Sequence, residues 1–443
     1  MKNESISLIT IKDLLLRYVS YPYRVLISYK EKIKENYLII KIPINHLRAL
    51  SALKGKEKIR CVFFAIFPQI WKYDDVYKLM VEHPRFEPVI LVCPFVRYGR
   101  ETMLETMDEC YNQFKSKNYN VLKAYDESKD VYYDVEELSP DIIFYTNPYK
   151  GLIDDRYYIT KYKNNLTVYV PYMYGNNNDF HNFHDALLHN VVWRFYAESD
   201  DHKNYSINAS RCKGRNVVVT GYPGIERYID SSYLPSEKNW KKEDQSLKKI
   251  IWAPHHTIYP IGNVNYSCFL KYSDFMLAMA QKYAAKAQFV FKPHPLLRDK
   301  LYKFWGVEKT NSYYNKWLTM DNCTVDNGEY VDLFLTSDAM IHDSGSFVIE
   351  YLYVNKPVMR TLNNEPIETM FNSFALKCLD NYYMGRCEQD IEHFIKNVID
   401  GIDPMKEKRT RFVNEELIPK GSPSQNIIND LLDSIDNQIL YRN

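Results

Sequence analysis

From residue 59 onward, short apolar runs alternate with longer stretches that mix apolar and charged positions. The runs fall at Arg60–Phe67, Pro88–Cys93, Asp141–Tyr145, Thr167–Val170 and Asn216–Thr220. Between the first of them, Lys72–Val81 and Glu101–Lys117 have the length and amphipathic spacing of helices. Runs that are apolar throughout, separated by helices, predict a parallel sheet covered on both faces. A polar, charged stretch containing Pro235, Ser231–Lys248, interrupts the pattern and reads as a linker. The alternation then restarts: strand Lys249–Ala253, helix Tyr272–Ala285, strand Gln288–Phe291, helix Tyr330–Thr336, strand Ala339–His342, helix Phe347–Val354 and strand Pro357–Arg360. Helices near Asp390–Ile399 and Ser424–Ile435 complete the reading.

The fold class expected is therefore α/β, two doubly wound lobes over 59–230 and 249–420, joined by 231–248 and followed by a closing helix in 421–443. Residues 1–58 differ in character. Leu14, Leu15, Tyr18 and Val19 recur near helical spacing, Pro22 is expected to break the run, and Lys12, Arg17, Arg24, Lys30, Lys32 and Lys34 are interleaved. Two readings stay open for this helical, basic arm: a helix lying on an anionic membrane surface, or one packed on its own protein with its charges in water.

Composition narrows the picture. A chain of 443 residues with 46% hydrophobic content has room for about two or three cores. A net charge of +1 argues against a protein built to grip nucleic acid. The eight cysteines include no Cys-x-x-Cys pair, as expected for reduced thiols rather than a disulfide framework or a zinc site. No secretory apolar segment opens the sequence and Cys61–Trp71 is too short to span a bilayer, so a cytoplasmic chain, soluble or peripheral at the membrane, is expected.

In open parallel sheets, ligands sit outside the carboxyl ends of the strands. The loops predicted there are chemically loaded: Gly221–Gly224 ("GYPG"), Pro254–Ile258 ("PHHTI"), Lys292–Pro295 ("KPHP") and Asp343–Ser346 ("DSGS"). Small residues at a helix start leave its first N–H groups open to an anion. The same residues also suit an ordinary helix cap. His181 and His184 stand three apart, a spacing that suits a metal on a helix face, but no third ligand is evident and no metal is expected.

Taken in order, "TGYP" (Thr220–Pro223), the strand and "AP" loop (Ala253–His256), His294-Pro295, and the block Ser337, Asp338, Asp343, Ser344, Ser346, Glu350 and Tyr351 resemble the CDP-glycerol glycerophosphotransferase family, relatives of teichoic-acid and capsule polymerases. The resemblance covers roughly residues 60–435 and is sharpest over 216–360. It implies a GT-B-like fold of two Rossmann-like lobes, with the acceptor on the N-terminal lobe and the nucleotide donor on the C-terminal one. It also implies that Ser344, Gly345 and Ser346 cradle the donor diphosphate, that His294 with Lys292 neutralises it, and that Glu350, about two turns into the helix, holds ribose hydroxyls. Thr220, Gly221 and Pro223 would form a cleft loop. The Trp-His-Gly-Thr-Pro stretch of many such polymerases is missing; residues 170–200 offer His181, His184 and His189 instead.

The reaction so implied is attack by an acceptor hydroxyl on the β-phosphate of a CDP-activated polyol, expelling CMP, with no cofactor beyond that substrate. His189, His255 and His256 are the candidate bases, although Leu187, Leu188, Val191 and Val192 around His189 also fit a packed helix histidine. The acceptor would be a polymer or lipid-linked. Two rivals share the motifs. One is another GT-B enzyme, a sugar-nucleotide transferase or UDP-sugar epimerase, because His342–Val358 also resembles a block of the UDP-N-acetylglucosamine 2-epimerases. The other is a non-catalytic nucleotide-binding subunit.

Overall fold

The computed structural model describes residues 8–260, 265–363 and 365–442, with side chains from Tyr29 onward. Helix α1 spans Leu8–Ala52 and continues through Pro22, where the sequence predicts a break. The side chains of Lys12, Leu14, Leu15, Arg17, Tyr18, Val19 and Arg24 lie outside the described residues. Farther along, Leu38, Ile39 and Ile42 bury one face of α1 against the N-terminal lobe.

The N-terminal lobe is built on β1 (Ile59–Ala65), β2 (Phe86–Val92), β3 (Val121–Lys123), β6 (Ile142–Tyr145), β7 (Leu166–Tyr169), β8 (Arg194–Ala197) and β9 (Val217–Val219). A small antiparallel hairpin, β4 (Tyr125–Asp126) with β5 (Val131–Tyr132), interrupts the series. The seven strands run parallel in the order β3-β2-β1-β6-β7-β8-β9. β1 reads Ile-Arg-Cys-Val-Phe-Phe-Ala and is buried at all but Arg60, as a central strand covered on both faces requires.

The C-terminal lobe repeats the plan with β10 (Lys248–Ala253), β11 (Ala287–Phe291), β12 (Cys323–Val325), β13 (Ala339–His342), β14 (Val358–Thr361) and β15 (Tyr383–Gly385), in the order β12-β11-β10-β13-β14-β15, all parallel. Strand order therefore reverses between β10 and β13, and the crevice at their carboxyl ends is where this topology binds ligands. The architecture is the GT-B-like pair of lobes expected. In the segment before β10, Trp240 is buried against the C-terminal lobe and donates to Thr336.

The closing helix, Pro423–Asp436, returns to the first lobe. Ile427, Ile428, Leu431 and Ile435 join the core that contains β1 and β2, and Asp430 takes a charged hydrogen bond of 2.8 Å from buried Arg194. The "TGYP" loop meets this returning segment. Gly221 has φ +85°, and a Cβ there would sit 2.7 Å from Pro419 Cβ and 3.0 Å from Pro423 Cγ. Glycine is thus required at that point by both backbone and space. The Thr220 carbonyl accepts from Asn426, and Pro223 is buried. The loop expected to line the cleft is packed as a joint between the lobes. All eight cysteines are free, as expected.

Candidate active site at the carboxyl ends of β10, β11 and β13

Three histidines from two neighbouring loops converge at the switch point. His255 and His256 follow β10, and His294 follows β11. Their ring centroids are 4.2 Å apart for His255–His256, 4.2 Å for His256–His294 and 5.1 Å for His255–His294. One ring nitrogen from each lies within 4.8 Å of the others.

Each ring is oriented through Nδ1. The Leu296 N–H donates to His294 Nδ1 at 3.1 Å, and Lys300 Nζ lies 2.7 Å from His256 Nδ1. Thr257 Oγ1 already accepts from the Tyr266 and Ser267 N–H groups. Its own proton therefore goes to His255 Nδ1, 3.0 Å away. All three Nδ1 atoms are acceptors, which puts the proton of each neutral ring on Nε2. Burial, reinforced by the neighbouring rings and by Lys300, holds His255 down to about 2, His256 to about 4 and His294 to about 3. The trio is an uncharged set of N–H donors near neutral pH. His255 and His256, read from the sequence as candidate bases, present protons instead of lone pairs. For the same reason the set does not fit a metal ion through Nε2: a metal needs a lone pair there, and Leu296 N–H and Lys300 would have to give up their bonds.

The loop after β13 lies beside them. Asp343 is fully buried and accepts from the N–H groups of His255 and Cys268, tying this loop to the one after β10. Burial pushes its carboxyl up to about 6. Tyr266 connects the two halves: its ring is 5.2 Å from that of His255, and a Cβ on Gly345 would stand 3.0 Å from it. From the N-terminal lobe, Asn176 Nδ2 would be 3.7 Å from the same Cβ and is buried without a partner among the described residues. Both lobes therefore close on Gly345. Beneath the loop lies Arg360 of β14, 1% exposed, donating to the Ser344 carbonyl at 2.8 Å and packed over the rings of Tyr266 and Phe371.

Several expectations are corrected by this geometry. Phe347–Glu350 is a single α-helical turn that tightens into 3-10 conformation over Tyr351–Val354. Glu350 ends that first turn instead of lying two turns in. It is buried, its carboxyl is raised by burial, and it accepts from Tyr330 Oη at 2.6 Å. Lys292 is committed to Asp326 at 3.0 Å and the Gly328 carbonyl at 2.8 Å, so its charge is already paired. His189 sits in the core of the N-terminal lobe between Tyr169 and Phe195, held down to about 3 by burial; it has no route to a substrate proton. His184 is buried against Ser206 while His181 is exposed beside Asp185, so the pair does not converge.

Thr257, Lys300, Asn176, Tyr266 and Arg360 are the site residues that the sequence reading did not single out. A separate cavity at the β3 edge, lined by Tyr111, Lys123, Tyr125 and Tyr133, holds none of the predicted site residues. Among the described residues no helix is long and apolar enough to cross a membrane.

Residues 172–363, which contain the trio and the Asp343–Ser346 loop, match the family described as CDP-Glycerol:Poly(glycerophosphate) glycerophosphotransferase. Two curated relatives from Staphylococcus aureus are similar in sequence. Teichoic acid ribitol-phosphate polymerase TarK is 22% identical over 56% of this chain and 47% of its own length. Teichoic acid ribitol-phosphate polymerase TarL is 27% identical over 40% and 30%. The chain thus spans about half or less of these relatives. The family resemblance read from the motifs is borne out over that segment. Among solved structures, the UDP-GlcNAc 2-epimerase of Neisseria meningitidis aligns over 84% of this chain and 99% of its own, at 15% identity and TM-score 0.53. The S. aureus MnaA–UDP structure aligns over 87% and 99%, at 17% identity and TM-score 0.52. These likenesses bear on the fold.

Proposed function

We propose that this chain is a transferase that moves a polyol phosphate from a CDP-activated polyol to a hydroxyl of a cell-envelope polymer acceptor, releasing CMP. The observation that carries this reading is the convergence of His255, His256 and His294, each with its proton on Nε2, beside the Ser344–Ser346 loop and above Arg360. A donor diphosphate brings negative charge and many acceptor oxygens, and this site offers N–H donors and a buried cation.

In the reaction the acceptor oxygen forms a bond to the β-phosphorus while the bond from that phosphorus to the bridging oxygen breaks. The electron pair leaves with CMP. Charge accumulates on phosphoryl oxygens and on the leaving group, and fixed donors in a partly water-excluded site stabilise it without reorganising. Lys300 polarises His256 through Nδ1 and strengthens its Nε2–H as a donor. Because the three Nε2 atoms carry protons, these rings act on phosphoryl charge, and the proton of the acceptor hydroxyl is released to solvent as CMP departs. Asn176 reaches the same point from the N-terminal lobe, where the acceptor would approach.

The test is CMP release from CDP-glycerol and CDP-ribitol by the purified chain with a lipid-linked or polymer acceptor, with UDP-sugars run in parallel. Turnover of a CDP-polyol is expected, falling about 100-fold or more in His294→Ala and His255→Ala, the scale for losing one preorganised donor. Turnover of UDP-sugars with none of either CDP-polyol would sink the proposal.

A further inference from the structure

Three neighbouring loops of the N-terminal lobe carry cations and no acid. They follow β2, β1 and β6, which are adjacent strands of the sheet, and cover residues 93–100, 66–73 and 146–153. Arg97, Arg100, Lys72 and Lys150 lie in them, in a chain whose net charge is only +1. Glu101, the next residue after Arg100, leaves the excess standing. The acids that follow the other two loops are bonded, Asp74 to Lys117 at 3.0 Å and Asp154 to Arg156 at 2.9 Å. The donor chemistry proposed above draws its cation and its N–H donors from the C-terminal lobe, so it gives these four charges no task.

The loops form one surface. Phe67 meets Phe95 at 4.6 Å between ring centroids, Phe95 meets Tyr98 at 5.4 Å, and the Val96 N–H donates to the Leu152 carbonyl at 3.0 Å. Tyr98 is 68% exposed, and its ring lies 5.9 Å from the Arg97 guanidinium. Among the described residues neither Arg97 nor Lys72 has a carboxylate partner. Arg100 meets one carboxylate, Asp130 at 3.9 Å, and Lys150 meets one, Glu31 at 3.7 Å; both cations are more than half exposed. Ion pairs so long and so wet are worth little and leave the charge available. Lys72 stands at the inner end, its Nζ 6.0 Å from the Tyr330 ring of the C-terminal lobe, so the surface opens on the cleft.

We propose that these loops hold a polyol-phosphate chain already attached to the acceptor. Arg97, Arg100 and Lys150 take phosphodiester groups behind the reacting end, and Lys72 takes the one nearest the cleft. Charge selects this occupant. A neutral glycan gives four cations nothing to meet, whereas a phosphodiester chain carries one negative charge per unit. Loops on three adjacent strands span about 10 Å, room for more than one such charge. Nucleic acid is a phosphodiester chain as well, but its single strands are held through exposed rings on which bases stack. Tyr98 is the only ring these loops expose, and Arg97 lies beside it. The inference rests on the transferase reading and adds what that reading leaves open: the acceptor is polyanionic, and an acceptor of several units binds more tightly than a single unit.

The test is fluorescence anisotropy of the full chain with a labelled glycerol-phosphate oligomer, with dextran and oligo-dT of similar length run in parallel. Binding of the oligomer is expected, weakening as added salt screens the surface charges. Arg97→Gln with Arg100→Gln and Lys150→Gln should weaken it about tenfold or more, with the melting temperature and its shift by CDP unchanged. Arg97→Gln alone, at a side chain with no ion pair to lose, should give a smaller loss of the same sign. With CDP-glycerol as donor, KM for the oligomer should rise in the triple variant by the factor seen in binding while kcat holds. An oligomer that does not bind, or that binds the triple variant as well as the parent, would overturn the inference. So would dextran or oligo-dT binding as tightly as the oligomer. Oligomer binding that the triple variant loses, without turnover of either CDP-polyol, would count against the transferase reading and leave this surface standing.

Discussion

The guanidinium of Arg360 lies directly behind Ser344, its Nη1 donating to the Ser344 carbonyl at 2.8 Å. A buried arginine usually has a bonded carboxylate. Here Asp343 is the nearest opposite charge in effect, yet it spends its oxygens on backbone N–H groups. Arg360 Nε is buried without a partner among the described residues. The cation is thus held at the floor of the loop with unused capacity, where the proposed function would put a donor phosphate.

Replacing Arg360 with methionine keeps most of the volume and removes the charge. CDP affinity is expected to fall about 10- to 100-fold, the range for a hydrogen bond to a charged group. Isothermal titration on a variant with unchanged circular dichroism measures it. An unaltered dissociation constant would mean that the cation serves only to balance Asp343.

The Thr257 hydroxyl is committed to two backbone N–H groups and to His255 Nδ1, and so fixes the tautomer of His255. Thr257→Val removes the hydroxyl that donates to Nδ1 and leaves the Tyr266 and Ser267 N–H groups without their acceptor. Turnover should drop about tenfold or more, and stability by about 1–3 kcal/mol for the buried donors left unpaired. Thr257→Ser should restore both. Nitrogen-15 shifts of the His255 ring report the tautomer directly. A wild-type pattern with the proton on Nδ1 would contradict the assignment.

Gly345 is needed for space, since its φ lies outside the left-handed range. A methyl group there would crowd Tyr266 at 3.0 Å and intrude where both lobes meet. Gly345→Ala should fold with a melting temperature within a few degrees of the parent and lose most of the stabilisation that CDP confers. A thermal-shift comparison with and without CDP tests this; equal shifts in both proteins would show that the loop does not contact the donor.

How much of this was legible beforehand depends on range. The strand-end loops were visible because apolar runs stop abruptly at polar, small residues, as at His342–Asp343 and Ala253–Pro254. Local pattern carries that information. The convergence of His294 on His255 and His256 depends on β10 and β11 being adjacent, and the motifs alone treated them as members of separate roles. Arg360 was read as the last residue of an apolar strand; only its burial behind Ser344 gives it meaning. His189 failed as a base for the reason its neighbours hinted at: four apolar residues around one histidine describe a core. Pro22 misled because a proline inside a helix costs local hydrogen bonding without forbidding continuation. The fit of Gly221 against Pro419 and Pro423 joins residues about 200 apart in sequence and leaves no local trace.

The buried histidines make a prediction about acid. His189 is held down to about 3 from an ordinary value of 6.5 by burial, with His184 adding to the effect. Its neutral form is favoured in the folded state, so its contribution is complete above 6.5 and is lost as pH falls toward 3. His46, His184, His255, His256 and His294 are depressed in the same sense. Asp343, raised to about 6, acts oppositely: its contribution is complete below the ordinary 3.8 and lost as pH rises through 6. Burial raises Glu350 and Glu226 in the same sense as Asp343, and His342 joins the depressed rings. Three carboxyls do not offset seven rings, so urea stability should fall on acidification from about pH 7 to about pH 5.5. His189→Leu removes one of the protons taken up on unfolding and touches nothing in the site. Its loss of stability over that interval should be smaller than the parent's by about 1 kcal/mol. Equal losses in the two proteins would mean that His189 titrates alike in the folded and unfolded chain, and that its burial does not keep it neutral.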